Sequence, residues 1–413
     1  MKITYFSIED IDSGLFKSQV LNKLNAILEI EHDLTFQLVV FNSPWKILKH
    51  RRLLKAYRSV LSERIKINYY PVLPPLRTVL TSVIQSKLIF SWLRLIAGLL
   101  VKINGDVIHC RSYWPTLIAL KTFKKPIVFD IRSLYVAESV AAGKLKIPSF
   151  EYDYWLNIEK FCLSKSTVNS VVSEPMITYV KKNAPLVKVE YNPIIVNTDE
   201  IFFDVNQREE LRKQLLWEDK TIIVYSGSLG YGGINKVSLT KLLTLLSKSV
   251  HEVRFLFLTD ESPNAIIELL TSASISPDTA FITKAKPKEL YKWLSAADIG
   301  IHALPAQLDS DTRLGTKVVE YWSNGLPVIL NEHVGAAVKL AEKYNLGIVV
   351  SENDDNFEAN LQHRIIELKQ RDRTIISDIG RSLFDSKTVA KGYINIYKYC
   401  LETNYSKHYI HKT

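Results

Sequence analysis

Short apolar runs alternate with longer amphipathic stretches along almost the whole chain, and this alternation is the strongest constraint on its fold. In the first half, the runs that predict strands are residues 3–6, 36–41, 107–110, 127–129 and 168–172. In the second half they are residues 221–225, 254–258, 280–282, 299–302, 327–330 and 347–350. Stretches such as 17–30 and 238–249 have the periodicity of helices. Repeated strand, helix, strand order predicts α/β structure, with parallel sheets covered on both faces.

The pattern restarts near residue 220, after a turn-rich joint at residues 191–199. A chain of 413 residues is long enough for two domains, each with its own core. We therefore predict a first domain at 1–196 and a second at 197–385. The remaining segment, 386–413, is predicted to be a helix and tail that pack back on the first domain.

The three cysteines, Cys110, Cys162 and Cys400, are odd in number and far apart. This usage is typical of reduced thiols in a cytoplasmic protein and argues against a disulfide framework or a zinc site. The longest apolar run, 88–101, contains Arg94 and is shorter than the roughly 20 residues that span a bilayer. We therefore expect no transmembrane helix, and the first six residues are interpreted as a strand and not as a signal peptide.

Positive charge is concentrated in one segment. Residues 46–102 contain twelve Lys or Arg and a single acid, Glu63, whereas the whole chain has a formal net charge of +10. Within 45–61, apolar residues recur at near-helical spacing, and basic residues fall between them: Lys49, Arg51, Arg52, Lys55 and Arg58. This pattern is typical of an amphipathic helix that binds an anionic membrane surface. The prediction is a cytoplasmic protein, peripheral at the inner face of the cell membrane.

Nucleic acid is the alternative partner for this basic segment, because aromatic residues are interleaved with its charges: Trp45, Tyr57, Tyr69 and Tyr70. However, the segment contains no recognisable RNA- or DNA-binding module. We therefore predict no nucleic-acid partner.

In each domain, one glycine-containing loop follows the first predicted strand. Gly14 opens a helix after the first strand, and four glycines occur within 227–233 after the strand at 221–225. Helix N-termini at the carboxyl ends of parallel strands attract phosphate, and glycine lets the backbone approach it closely. Neither loop is a P-loop or a GxGxxG fingerprint, so an ordinary strand-to-helix connection is the alternative for each.

The segment 313–329 is interpreted as a loop, a short helix and a buried strand. Lys317 and Glu320 are three residues apart and therefore share one helix face. A cation and a carboxylate placed in this way suit a nucleoside diphosphate and its ribose diol. A local ion pair is the simpler alternative.

At this point the chain resembles bacterial retaining glycosyltransferases of family 4, of the polysaccharide-biosynthesis type. Residues 316–329 resemble the family's "TK..EY...G.PVI" signature, and 294–300 resemble "L.AADIG". Residues 106–113, 129–133 and 18–21 resemble "D.IH.RSY", "FD.R" and "SQVL". The resemblance implies a GT-B architecture, in which two Rossmann-like domains face each other across a cleft: an acceptor-binding first domain and a nucleotide-sugar-binding second domain.

The resemblance also implies roles for residues in nucleotide-sugar binding. Glu320 would accept hydrogen bonds from the ribose, and Lys317 would neutralise the diphosphate together with backbone amides near Gly227 and Ser228. Gly14 would face the same phosphates from the first domain.

In the first domain, the resemblance makes Arg132 a catalytic residue alongside Lys317, because many relatives have a histidine near the transferred sugar at the place of Arg132. It further implies weaker contacts to the sugar or acceptor from Arg111, Asp130 and Glu138.

The resulting prediction is a hexosyltransferase-like enzyme that transfers a sugar from a nucleoside-diphosphate sugar to a glycan or lipid-linked acceptor. Retention of configuration and a role in cell-surface polysaccharide biosynthesis follow from the resemblance alone. No cofactor and no metal are expected, although Asp309-Ser310-Asp311 mimics the metal-binding DxD of another glycosyltransferase fold. Thr312 occupies the place of a second glutamate found in many family members, which leaves the donor sugar open. The alternatives are an inactive GT-B scaffold subunit, a sugar-nucleotide epimerase and a basic nucleic-acid-binding protein.

Overall fold

The chain forms two structural units, Met1–Ile195 with Ser386–Thr413 and Val196–Asp385. This computed structural model describes residues 1–9, 16–42, 44–45, 62–71, 82–230, 236–351 and 357–410, with the backbone alone for 357–360 and 404–410. The predictions for Gly14 and for five basic residues of 45–61 lie outside the described residues. Those five are Lys49, Arg51, Arg52, Lys55 and Arg58.

A parallel sheet forms the centre of the first unit, and its described residues supply seven strands. The strands are β1 (Lys2–Ser7), β2 (Thr35–Asn42), β3 (Ile65–Pro71), β4 (Val107–Arg111), β5 (Ile127–Ile131), β6 (Val168–Val171) and β7 (Lys188–Tyr191). Their order is β3-β2-β1-β4-β5-β6-β7, and every pair is parallel. The order reverses between β1 and β4, and ligands of such sheets bind at the carboxyl ends of strands beside this switch point.

The second unit repeats this arrangement in its described residues, with six strands in the order β10-β9-β8-β11-β12-β13, all parallel. The strands are β8 (Thr221–Ser226), β9 (Val253–Leu258), β10 (Ala280–Thr283), β11 (Ile299–His302), β12 (Val328–Asn331) and β13 (Gly347–Val350). The switch point of this sheet lies between β8 and β11. The prediction of an α/β protein with two Rossmann-like domains is confirmed.

Two strands, β3 and β7, were not predicted from the sequence, and both are edge strands of the first sheet. Their side chains are mostly half-buried, whereas every residue of β4 and β5 is buried. A strand with only one neighbour carries polar and charged residues such as Lys66 and Lys188, so it lacks the continuous apolar run that identifies a central parallel strand.

Helices cover both faces of the first sheet. They are α1 (Asn22–Ile30), α2 (Val83–Leu100), α3 (Tyr113–Thr122), α4 (Tyr135–Ala141), α5 (Phe150–Lys165) and α6 (Glu174–Asn183). A π-helical turn, Lys17–Leu21, leads directly into α1. On one face, the core contains residues of this turn, of α1 and of the C-terminal segment; on the other it contains residues of α2, α3 and α5.

The helices of the second unit, in chain order, are α7 (Val205–Gln214), α8 (Lys236–Ser249), α9 (Pro263–Ser272), α10 (Leu290–Ala296), α11 (Thr316–Ser323), α12 (Gly335–Tyr344), α13 (Phe357–Lys369) and α14 (Arg373–Phe384). The last helix, α15 (Ser386–Ile410), belongs to the first unit, where Tyr393 and Tyr397 lie in the same core cluster as Leu24 and Ile27 of α1.

Helix α2 contains most of the apolar run 88–101 and begins earlier, at Val83, where Ser82 caps its first turn by accepting from the backbone N–H of Gln85. Within the described part of the chain, α2 is the one helix long and apolar enough to cross a membrane by length and composition, and 28% of it is buried inside the protein. A core helix passes the same test, so this is weak evidence for a membrane span.

Two helical glycines of the first unit test how α15 packs. A Cβ on Gly392 would clash with the buried side-chain oxygen of Asn192, whereas on Gly98 of α2 its nearest neighbour would be a methyl group 3.6 Å away. We expect Gly392→Ala to lower the free energy of unfolding by about 1–3 kcal/mol through overpacking. Gly98→Ala should raise it by about 0.5–1 kcal/mol, because alanine loses less backbone entropy in a helix.

Urea denaturation of the full chain measures both effects. Equal stabilities of the two variants would show that α15 does not pack on the first unit as described.

Candidate functional site

The switch point of the second unit is shaped by Gly227, which directly follows β8. Its φ of +133° favours glycine, and its backbone N–H donates to the carbonyl of Leu258 at 2.9 Å. The next residue, Ser228, is held in place because the Tyr225 hydroxyl donates to its carbonyl at 2.7 Å. The loop after β8 therefore begins with a fixed backbone that a ligand can approach closely.

Helix α11 is attached to the same strand end through Tyr321. The fully buried Tyr321 hydroxyl accepts from the backbone N–H of Ser226 at 2.7 Å. Its ring fills the space that a side chain on Gly300 of β11 would need, since a Cβ there would lie 2.5 Å from the ring. The "EY" of the 316–329 motif thus combines one residue that anchors the helix with one, Glu320, that lies on its more exposed side.

Lys317 and Glu320 form an ion pair on α11, with 2.9 Å between Nζ and Oε2. Both are partly exposed, and the aliphatic part of Lys317 passes within 3.8 Å of the place where a Cβ on Gly227 would be. The predicted cation, carboxylate and glycine loop are therefore brought together at the carboxyl end of β8. Because Gly315 precedes α11 with a φ of +78° and has no side chain to cap the helix, the N–H groups of its first turn add positive potential at this place.

His302, at the end of β11, is a member of this site that the sequence analysis placed on a strand but gave no role. A Cβ on Gly315 would lie 2.9 Å from its Nε2, and its buried Nδ1 has no hydrogen-bond partner among the described residues. Burial, together with the positive charges of Arg313 and Lys317, lowers the pKa of His302 to about 4. The imidazole is therefore neutral at pH 7, and its position at the switch point was the signal that could have identified it.

The segment before α11 is internally bonded. Thr312 donates its hydroxyl to the carbonyl of Asp309 at 2.8 Å, and the buried Asp309 carboxylate pairs with Arg313 at 3.2 Å. One of the two carboxylates of Asp309-Ser310-Asp311, that of Asp309, thus pairs with an arginine. Among the described residues there is no group of three or more His, Cys, Asp or Glu that could hold a metal ion.

In the first unit, the fully buried carboxylate of Asp130 joins residues from three directions. It accepts from the Lys23 ammonium of α1 at 2.7 Å and from the Tyr393 hydroxyl of α15 at 3.1 Å, and it lies 3.2 Å from Nε2 of His109. A second hydroxyl of α15, on Tyr397, lies 2.7 Å from Nδ1 of His109. Asp130 is 0% exposed and holds other side chains of this network, and its contact with the sugar or acceptor stays a prediction.

The charges of this network are set by burial. Burial alone would raise the pKa of Asp130, but Lys23 and Arg132 hold it well below its usual range. Burial lowers the pKa of Lys23 to about 7 despite the nearby carboxylate. Burial and the Lys23 charge lower the pKa of His109 to about 4, so its imidazole is neutral at pH 7 and is unsuited to act as an exposed base.

Arg132 directly follows β5, and its guanidinium has partners on two sides. Its guanidinium lies 3.6 Å from Asp130 and donates to the Gln19 side chain at 3.0 Å. Gln19 lies in the π-helical turn and in turn donates to the carbonyl of Ile195. Local π-helical geometry is frequent at functional sites, and here it places a buried amide against the predicted catalytic arginine.

The other two residues predicted in the first unit lie at the end of β4 and on α4, the helix that follows β5. Arg111, at the end of β4, pairs with Glu9 at 2.7 Å beside the switch point, and its buried Nη1 has no hydrogen-bond partner among the described residues. Glu138, on α4, is exposed and accepts from the Ser133 hydroxyl at 2.9 Å. Arg111 thus ends β4, and Arg132 and Glu138 follow β5, whereas Gly14 cannot be compared because it lies outside the described residues.

One family model matches part of the chain. Residues 207–379 match the model of the family described as glycosyl transferases group 1. This range covers most of the second unit and includes the Gly227, His302 and α11 site. No curated protein matches the chain in sequence.

Solved structures share the fold of almost the entire chain. Sucrose-phosphate synthase from Thermosynechococcus elongatus aligns with a TM-score of 0.69 and 15% identity over 96% of this chain and 98% of that one. HepE from Anabaena in complex with UDP aligns with a TM-score of 0.67 and 16% identity over 96% and 100%. WaaG, a glycosyltransferase involved in lipopolysaccharide biosynthesis, aligns with a TM-score of 0.60 and 12% identity over 94% and 95%. The fold is therefore that of GT-B proteins, and with the family match it supports a group 1 glycosyltransferase.

Two histidines with lowered pKa values, His109 and His302, predict how stability depends on pH. The pKa of His109 and of His302 is about 4 in the folded protein, against 6.5 as the ordinary value. Between these values the unfolded chain binds more protons than the folded one, so the free energy of unfolding should rise as the pH increases from about 4 to about 6.5. His109→Gln and His302→Gln should each reduce that rise.

Urea denaturation at a series of pH values measures the effect, with His363→Gln as the control because His363 is 78% exposed. A rise that is unchanged in both buried-site variants would contradict the assignment.

Proposed function

We propose that this protein transfers a sugar from a nucleoside-diphosphate sugar to a glycan or lipid-linked acceptor in cell-surface polysaccharide biosynthesis, with retention of configuration. The observation that carries the proposal is the ion pair of Lys317 and Glu320 over Gly227, at the switch point of a domain that matches group 1 glycosyltransferases. Retention, membership of family 4 and the biosynthetic role rest on the motif resemblance.

The donor is proposed from the chemistry of the second unit. A diphosphate needs positive potential, which Lys317 and the first turn of α11 supply, and a ribose diol needs an acceptor such as the Glu320 carboxylate. When the donor binds, the Lys317 ammonium turns from Glu320 to the phosphates. Structures of HepE with UDP and with UDP-glucose support this class of donor.

The proposed chemistry depends on the leaving group. The bond from the anomeric carbon to the phosphate oxygen breaks, and a bond to the acceptor oxygen forms on the same face. The acceptor proton passes to the departing phosphate. Lys317 stabilises the charge that grows on this phosphate, and a fixed cation of this kind is effective because it needs no reorganisation during the reaction. The proposal includes no metal and no cofactor, and Arg132 is proposed to contact the transferred sugar.

We assign the acceptor to the first unit, where Arg111 ends β4 and Glu138 lies on α4, the helix after β5. A lipid-linked acceptor fits the concentration of Lys and Arg in residues 46–102, since basic residues bring a protein to an anionic bilayer. We therefore propose that the protein acts at the cytoplasmic face of the cell membrane.

A donor screen tests the proposal. The purified protein is incubated with UDP-, GDP- and other nucleotide sugars, with and without EDTA, and release of the nucleoside diphosphate is measured. Release from one donor, unaffected by EDTA, is the expected result. Binding of a donor without turnover would indicate an inactive scaffold, interconversion of the sugar would indicate an epimerase, and no binding would contradict the proposal.

Substitutions of the ion pair test the site. Glu320→Ala should weaken donor binding by about 1–3 kcal/mol, the scale of hydrogen bonds to a charged group. Lys317→Ala should lower kcat more than it weakens binding, because the charge on the leaving group grows in the transition state.

The matched controls are Glu252→Ala and Lys220→Ala. These residues form an ion pair of 2.6 Å in the same unit, at the amino ends of β9 and β8, on the opposite edge of the sheet. They should retain wild-type kinetics. Wild-type kinetics in both Lys317 and Glu320 variants would show that the donor binds elsewhere.

A further inference from the structure

Helix α2 presents an apolar stripe to solvent. The members of the stripe recur at intervals of three or four residues and are 45% to 74% exposed: Ile84, Leu88, Trp92, Leu95 and Leu99. Large apolar residues aligned on one exposed helix face mark an interaction surface, unlike single ones scattered over a protein.

The opposite side of α2 is fixed in the core. Leu93, Ile96 and Ala97 are buried in the cluster that covers one face of the first sheet. A helix held in this way cannot be surrounded by lipid unless it leaves the unit. Helix α2 has the length and composition of a membrane-spanning helix, but one of its faces is packed in the protein core. Only its other face is therefore available to bind a partner.

The charges on the exposed side have one sign. Lys87 and Arg94 are exposed, and α2 contains no Asp or Glu. A second copy of this chain docked through a twofold axis would place these cations opposite each other. An anionic bilayer instead accepts both the cations and the apolar stripe.

A second element extends this surface. Nζ of Lys87 lies 5.8 Å from the centre of the Tyr154 ring, which brings the first part of α2 beside α5. One turn before Tyr154, on the same side of α5, Phe150 is 69% exposed, and the preceding loop exposes Lys146 and Ile147. Apolar and basic side chains from two elements thus adjoin.

We propose that the stripe of α2, together with Ile147 and Phe150, docks on an anionic lipid bilayer, with α2 lying in the interface and not crossing it. These residues form the docking surface. The proposal deepens the membrane localisation proposed above by naming the residues that contact lipid, and it does not depend on the transfer chemistry.

Flotation of the full chain with vesicles tests the proposal. Binding to phosphatidylglycerol vesicles should exceed binding to phosphatidylcholine vesicles and should fall at high salt. The triple variant Leu88→Ser, Leu95→Ser, Leu99→Ser should weaken binding about tenfold or more through lost apolar burial. The charge variant Lys87→Gln, Arg94→Gln should also weaken it about tenfold or more.

Matched control variants separate the docking surface from general surface properties. The apolar control is Leu186→Ser, Val237→Ser, Ile375→Ser, which replaces three exposed apolar residues outside the surface. The charge control is Lys213→Gln, Lys288→Gln, which removes two exposed cations of the second unit. Both controls should bind as the wild type does. Docking variants that lose vesicle binding but keep donor hydrolysis would distinguish this surface from the donor site.

Brominated lipids provide a direct contact measurement, because bromine quenches tryptophan fluorescence at short range. Vesicle-bound wild type should be quenched, and Trp92→Phe should lose part of that quenching. Equal binding of docking and control variants, or unchanged quenching in Trp92→Phe, would overturn the proposal.

Two further outcomes would also overturn it. Retention in the membrane during alkaline carbonate extraction would show that α2 spans the bilayer. A lipid-free dimer in analytical ultracentrifugation that the triple variant dissociates would show that the surface binds a second copy.

Discussion

The first unit depends on the interactions of one buried group, the carboxylate of Asp130. Its contacts join the sheet to α1 through Lys23, to α15 through Tyr393, and to the end of β5 through Arg132. A carboxylate without water around it is tolerated because opposite charges and hydrogen bonds surround it, and removing one partner leaves a charge uncompensated. The same contacts that bind the C-terminal helix to the unit therefore also orient Arg132, which is predicted to be catalytic. Stability and the geometry of the site are linked through one group.

The two units have the same strand order but use their switch points differently. In the second unit, the place between β8 and β11 combines a glycine backbone, a helix N-terminus and Lys317, a combination that favours anions. In the first unit, the place between β1 and β4 is occupied by Arg111, whose charge is balanced by Glu9. The switch point of the second unit thus has features that favour anions, whereas that of the first unit holds an arginine paired with a carboxylate. This division agrees with a charged donor in one unit and a hydroxyl acceptor in the other.

The sequence predicted what depends on local pattern. Central strands are continuous apolar runs, and Lys317 and Glu320 meet because helical spacing requires it. Strands β3 and β7 were not predicted, because edge strands mix polar and apolar residues. The contacts of Lys23 and Tyr393 were not predicted, because their partner, Asp130, is distant in the sequence and is reached only through tertiary packing. For the same reason, the burial of Asp130 and its side-chain partners were not predicted. His302 was visible only as a strand end, since its importance arises from the strand order that places it beside Gly227.

Helix α15 belongs to the first unit but is translated after the second, and this order has a consequence for folding during biosynthesis. The second unit is continuous from Val196 to Asp385, whereas the first needs residues from Ser386 onward. On the ribosome, the unit that is translated first is therefore completed last. Until α15 emerges, Leu24 and Ile27 of α1 lack part of their apolar cover, and Asp130 lacks the Tyr393 hydroxyl. The nascent protein thus carries an incomplete N-terminal unit through the whole synthesis of its second unit, and this is the interval in which a chaperone or premature aggregation would act on it.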